Sequence, residues 1–64
     1  MKEADIIHDA YASNLKASYA VFSASYIEAG GDQQLQHEAE DRFRIALANA
    51  KKVKERALAV VLGL

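Results

Sequence analysis

The sequence predicts an all-α fold, an antiparallel helical hairpin, and three observations support this prediction. Apolar residues recur at helical spacing in two segments of nearly equal length. The turn signal Gly30-Gly31-Asp32 separates these segments. The chain has no proline, which leaves glycine as the only strong helix breaker. We expect one domain over residues 1–64, with helices over about 3–29 and 33–62 and a turn at 30–32.

The first predicted helix carries its larger apolar residues on one side. At 100° per residue, the spacing of these residues is that of a helix and not of an alternating strand. Alanine, the best helix former, is frequent in this segment, and β-branched residues are few. The side is formed by Ile7, Tyr11, Leu15, Ser18, Phe22, Ser25, Tyr26 and Ala29.

Residues of the predicted turn match the chemistry of helix ends. Gly30 suits the left-handed position after a helix, where a Cβ atom would clash. Asp32 suits the N-cap of the second helix, because its carboxylate can accept a hydrogen bond from a free backbone N–H. Gly63 repeats the C-terminal signal at the end of the second helix.

The second predicted helix has a heptad-like apolar stripe and an outer side with acid–base pairs. Each pair places the acid before the base, which is the favourable order. The stripe consists of Leu35, Ala39, Phe43, Ala46, Ala50, Val53, Ala57, Val60 and Leu64. The expected pairs are Glu38 with Arg42, Glu40 with Arg44, and Asp41 with Arg44.

Alanines recur at seven-residue intervals in both helices. They are Ala10, Ala17 and Ala24 in the first helix, with Ala39 and Ala46, then Ala50 and Ala57, in the second. Small residues at repeating positions let two helices approach closely, so we expect alanine to meet alanine inside the hairpin. The alternative is that alanine is frequent only because it favours helix formation.

The apolar surface of the two helices exceeds what one hairpin contact can cover. We therefore expect the chain to form a homodimer, a four-helix bundle with two-fold symmetry, or to dock on another helical protein. The predicted interface consists of the large residues on the apolar side of the first helix. They are Ile7, Tyr11, Leu15, Tyr19, Phe22 and Tyr26.

Composition and charge exclude several classes of protein. The absence of cysteine rules out disulfides and cysteine zinc sites. Apolar residues make up 52% of the chain and the net charge is -1, which argues against disorder and against binding to polyanions or membranes by overall charge. The first residues do not form a secretory signal, and no apolar run approaches the ~20 residues of a membrane helix. We expect a cytoplasmic protein.

The sequence offers little support for metal binding or catalysis. Asp5 and His8 are spaced i, i+3, but the second helix has no matching Glu-x-x-His pattern around His37. A bundle of this size has little room for the ~300 Å³ pocket typical of small-molecule sites. We therefore expect no cofactor, no metal and no enzymatic activity.

Basic residues concentrate in the second helix and suggest an alternative function. The candidate contacts with nucleic acid are Lys51, Lys52, Lys54 and Arg56. On a helical wheel they scatter around the helix, and no aromatic residue lies among them to stack on bases. A solvated surface that complements the C-terminal helix dipole is the simpler explanation.

The overall plan is similar to that of the plasmid copy-number regulators of the ROP type, which are helical hairpins of comparable length. The turn Gly30-Gly31-Asp32 and the glutamine-rich start of the second helix are also similar to those of small hairpin chaperones of secretion needle subunits. Both resemblances cover architecture without an aligned motif and imply no particular function. We expect a small interaction or assembly module with a regulatory, adaptor or chaperone-like role; the alternative is an RNA-binding regulator.

Overall fold

The computed structural model describes residues 2–63 and consists of two packed α-helices. Helix α1 spans Glu3–Ala29 and helix α2 spans Gln33–Leu62, and the described residues include no strand. The helices pack against each other as a hairpin, so the predicted all-α fold class is confirmed.

The turn between the helices is held by hydrogen bonds from both sides. The backbone N–H of Leu35 donates to Oδ1 of Asp32 over 3.2 Å, which confirms the predicted N-cap. Gly30 has φ 57° and ψ -125°, so its φ is positive as expected although its ψ lies outside the left-handed helical region. The Gln36 side-chain amide donates to the Gly30 carbonyl oxygen over 2.6 Å and ties α2 to the turn.

The outer ends of the two helices differ in how they are capped. At the start of α1, the N-cap residue Lys2 makes no side-chain cap, and Glu3 and Asp5 place negative charge in the first turn, where the helix dipole favours it. At the end of α2, Gly63 is left-handed, with φ 73° and ψ 29°. The C-terminal signal expected from Gly63 is thus confirmed.

Aromatic rings and a lysine connect the two helices. Phe22 of α1 stacks on Phe43 of α2, with ring centroids 4.7 Å apart and planes 12° from parallel. Further toward the termini, Nζ of Lys54 lies 4.4 Å from the centroid of the Tyr11 ring. The residue numbers in both pairs add up to 65, which places residue i of α1 level with about residue 65 − i of α2.

The predicted contact of alanine with alanine inside the hairpin is wrong for α1. Ala10, Ala17 and Ala24 are exposed, whereas the rings of Phe22 and Tyr11 reach across to α2. The physical reason is area: a large ring placed between two helices removes far more apolar surface from water than a methyl group does.

The outer surface of α2 forms fewer ion pairs than expected. Nη1 of Arg44 lies 2.6 Å from Oδ1 of Asp41, and both side chains are largely exposed. The other two expected pairs, Glu38 with Arg42 and Glu40 with Arg44, are not formed in this described segment. Arg42 instead lines a groove between the helices, and the Arg44 guanidinium pairs with the Asp41 carboxylate.

The hairpin is a single layer of helices with almost no enclosed core. Its Cα envelope measures 48 × 20 × 6 Å. Among the described residues, only Ala29 and Ala39 are buried. The exposed large apolar residues are Ile6, Tyr19, Val21, Tyr26, Ile27, Leu35, Ile45, Val53, Val60, Val61 and Leu62. These side chains lie on several sides of the two helices and contact water in the single hairpin.

Candidate interaction surface

A groove opens between the helices in the half of the hairpin nearest the turn. Its volume is about 260 Å³. Val21 and Arg42 form its outer walls, one on each helix, and the stacked rings of Phe22 and Phe43 lie at its inner side. The remaining lining residues are small: Ala17, Ser18, Ser25, Ala39 and Ala46. The lining is therefore mostly apolar and has one cation at its edge.

A second groove continues on the same side in the half nearest the termini. Its volume is about 120 Å³. It is lined by Ile7, Ala10, Tyr11, Asn14, Ala50, Val53, Lys54 and Ala57. At 100° per residue these positions lie on the same side of each helix as the lining of the first groove. We call this side of the hairpin the groove face, and define it by the lining residues of the two grooves.

The opposite side of the hairpin also has apolar residues, together with more charged residues along α2. A depression of about 260 Å³ is lined there by Phe22, Glu40, Phe43, Arg44 and Leu47. Helical geometry adds two more charged residues of α2 and two tyrosines of α1 to this side. We call it the charged face, and define it by Tyr19, Tyr26, Glu40, Arg44, Lys51 and Glu55.

The six residues of the predicted interface do not share one face. Ile7, Tyr11 and Phe22 are half-buried against α2 and line the grooves. Leu15 is also half-buried. Tyr19 and Tyr26 are exposed on the charged face. The six residues, which the sequence places on one continuous side of α1, are therefore divided between the hairpin contact and the two faces. The interface stays a prediction.

Two residues on the groove face are not among the six residues of the predicted interface, although Val53 belongs to the predicted apolar stripe of the second helix. Val21 and Val53 are 66% and 62% exposed, each on the wall of a groove. On a helical wheel, Val21 lies beside Ala17 on α1, and Val53 lies beside Ala46 and Ala50 on α2. These positions beside the alanine repeats are the signal that points to the two valines.

The four basic residues proposed for nucleic-acid contact do not form one surface. Lys54 is half-buried, with its ammonium group over the Tyr11 ring, an arrangement that stabilises the cation where it lies. Lys51 lies on the charged face, whereas Lys52 and Arg56 lie on the outer side of α2, away from α1. The four cations therefore lie in different directions around α2.

Other candidate sites are sparse in the described part of the chain. Within residues 2–63, no group of three or more His, Asp or Glu side chains could hold a metal ion. The two histidines, His8 and His37, are exposed and lie at opposite ends of the hairpin. No helix in this range is long and apolar enough to cross a membrane.

Comparison of the chain with protein-family models, with curated proteins and with solved structures finds no match. The function of the chain is therefore inferred from the geometry of the hairpin and its two faces.

Proposed function

We propose that the chain is a non-enzymatic protein–protein interaction and assembly module that works as a homodimeric four-helix bundle. In such a bundle, two hairpins enclose one apolar core that neither hairpin has alone. Its role would be that of a regulator, an adaptor or a chaperone, which acts through its surface and not through chemistry at a pocket.

The observation that carries this proposal is the exposure of apolar side chains in the single hairpin. Only Ala29 and Ala39 are buried among the described residues, while eleven large apolar side chains are exposed. Monomeric proteins rarely leave contiguous apolar patches larger than a few hundred Å² in water, and larger patches mark interaction sites. A second layer of helices would cover those exposed side chains that lie on one side of the hairpin.

The grooves also favour association over catalysis. Both are open troughs with mostly apolar lining: chiefly alanine, valine and phenylalanine in the first, and alanine, valine, isoleucine and tyrosine in the second. Small-molecule sites are usually enclosed and have a few converging polar groups that orient the ligand. A long apolar trough instead fits the side chains of another helix.

The molar mass of the chain in solution tests the homodimer. Light scattering or sedimentation equilibrium between about 1 and 100 μM should give a mass of about 14 kDa at the upper end, twice the 7.0 kDa of one chain. Circular dichroism should lose helical signal on dilution, because separated hairpins lose the apolar contact between them. A fully helical monomer of 7.0 kDa throughout this range would contradict the proposal.

The alternative function, a small RNA-binding regulator, stays a prediction with its own test. A gel-shift assay at low salt favours any contact that releases counterions from phosphates. Binding that weakens when Lys51, Lys52, Lys54 and Arg56 are replaced by glutamine would support this alternative. Absence of binding at low salt would exclude it.

A further inference from the structure

We propose that a second copy of the chain packs on the groove face, and that Tyr19 and Tyr26 remain on the outside of the dimer. This inference rests on the proposed homodimer and identifies the side of the hairpin that the second copy covers. It follows from the charge, the shape and the area of the two faces.

The first reason is the free-energy cost of removing charged groups from water. Arg42 and Lys54 are the charged residues that line the two grooves, and Lys54 already lies over an aromatic ring. Over the part of α2 that lines the grooves, residues 39–57, the charged face has Glu40, Arg44, Lys51 and Glu55 beside Leu47. Taking ionised groups out of water is expensive unless each finds a good partner. A second copy therefore covers the groove face at a lower cost in free energy.

The second reason is the shape of the groove face. Ala17 and Ala46 line one groove, and Ala10 and Ala57 line the other, so no long side chain holds an approaching helix away. Val21 and Val53 stand exposed at the walls of these grooves. In a face-to-face pair, the valines of each copy meet the alanine-lined grooves of the other, as ridges pack into grooves between helices.

The third reason is the area of the groove face, which favours a second copy of the chain as the molecule that covers it. The hairpin measures 48 Å by 20 Å in its Cα extents, so either broad side is about 960 Å² in projection. A stable interface of standard size buries about 800 Å² on each partner. A single helix is only about 10 Å wide and would cover half of the face. Another hairpin, which is two helices wide, covers all of it.

A pair of substitutions on α2 tests which face is buried. Val53→Glu and Ile45→Glu make the same change in charge at residues that are 62% and 60% exposed in one hairpin. Val53 lies on the groove face, whereas Ile45 lies on the outer side of α2. We expect Val53→Glu to raise the dimer Kd about a hundredfold, because an unpaired carboxylate would be buried in the interface. We expect Ile45→Glu to change it less than about threefold.

The same comparison on α1 uses Val21→Glu and Tyr19→Glu, the latter at a residue on the charged face. We expect Val21→Glu to weaken the dimer and Tyr19→Glu to leave it intact. The reverse pattern, in which Tyr19→Glu weakens the dimer about a hundredfold and neither valine variant does so, would overturn the inference while the homodimer stands. A wild-type chain that is monomeric at every concentration would instead contradict the homodimer itself.

A second measurement does not require the dimer to break. The chain has no cysteine, so Val53→Cys and Ile45→Cys each introduce a single thiol. At concentrations where the wild-type chain is dimeric, we expect a maleimide to alkylate the thiol of V53C at least tenfold more slowly than that of I45C. Equal rates in folded dimers of both variants would overturn the inference.

Discussion

At the scale of single residues, the two glycines of the turn have different roles. Gly30 has φ 57° with ψ -125°, a combination that side chains with a Cβ atom strongly disfavour. Gly31 has no positive φ. A Cβ atom at either position would meet nothing within 4 Å, so backbone conformation alone separates them.

Alanine substitution at these two glycines should therefore have unequal effects. We expect Gly30→Ala to lower the free energy of unfolding by about 1–3 kcal/mol, because it forces a residue with a Cβ atom into a strained conformation. Gly31→Ala is the matched control and should change it by less than about 1 kcal/mol. Urea unfolding at one fixed protein concentration measures both. Equal losses for the two variants would contradict the assigned turn conformation.

The sequence was most informative about these local features. The glycines and Asp32 act within a few residues of their own position, so their chemistry can be read without knowing the rest of the fold. The Asp32 cap and the positive φ of Gly30 and Gly63 both follow from backbone groups nearby. Hydrogen bonds that depend on a side chain several residues away, such as that from Gln36 to Gly30, are harder to foresee.

At the scale of the helices, the contact between α1 and α2 depends on large side chains. The Phe22 ring stacks on Phe43 and also lies 5.6 Å from the Tyr26 ring within α1. Such pairs contribute about 0.5–1.5 kcal/mol beyond the area they bury. The stacked pair should therefore fix the register of the hairpin near the turn.

A double-mutant cycle at Phe22 and Phe43 measures this contact. We expect Phe22→Ala and Phe43→Ala each to destabilise the chain by roughly 2 kcal/mol, less than for fully buried rings because both are half-buried. Their effects should be non-additive by about 0.5–1.5 kcal/mol. The pair Tyr19→Ala and Phe43→Ala is the control and should be additive, because the Tyr19 ring is exposed on the charged face. Additivity at Phe22 and Phe43 would contradict direct stacking.

Periodicity predicted the helices but not which residues meet between them. It assigns residues to a broad side of each helix, and on α1 that side includes both rings and small residues. The rotation of α1 about its axis determines whether Ala17 or Phe22 points at α2, because the two residues lie far apart around the helix. That rotation depends on how side chains of both helices fit together, which no single-helix pattern contains. The alanine contact was therefore predicted wrongly for α1, and the predicted interface did not include Val21 and Val53.

At the scale of the whole molecule, one hairpin leaves most of its large apolar side chains exposed to water. It is a single layer of two helices, and stable domains need two packed layers around an apolar core. Small chains in particular obtain this core through oligomerisation when they lack disulfides or metals. The apolar excess in the composition leads us to expect such a second layer, and the exposed side chains of the hairpin include the surface that it would cover.

If the second layer is another copy, folding and association occur together, and thermal stability must depend on protein concentration. Unfolding two chains of this length absorbs roughly 90 kcal/mol near 60 °C. A hundredfold increase in concentration should then raise Tm by roughly 10 °C. Melting curves followed by circular dichroism at about 2 and 200 μM measure this shift directly. A Tm that rises by about this amount is the predicted result, and a cooperative transition whose Tm is the same at both concentrations would contradict the account.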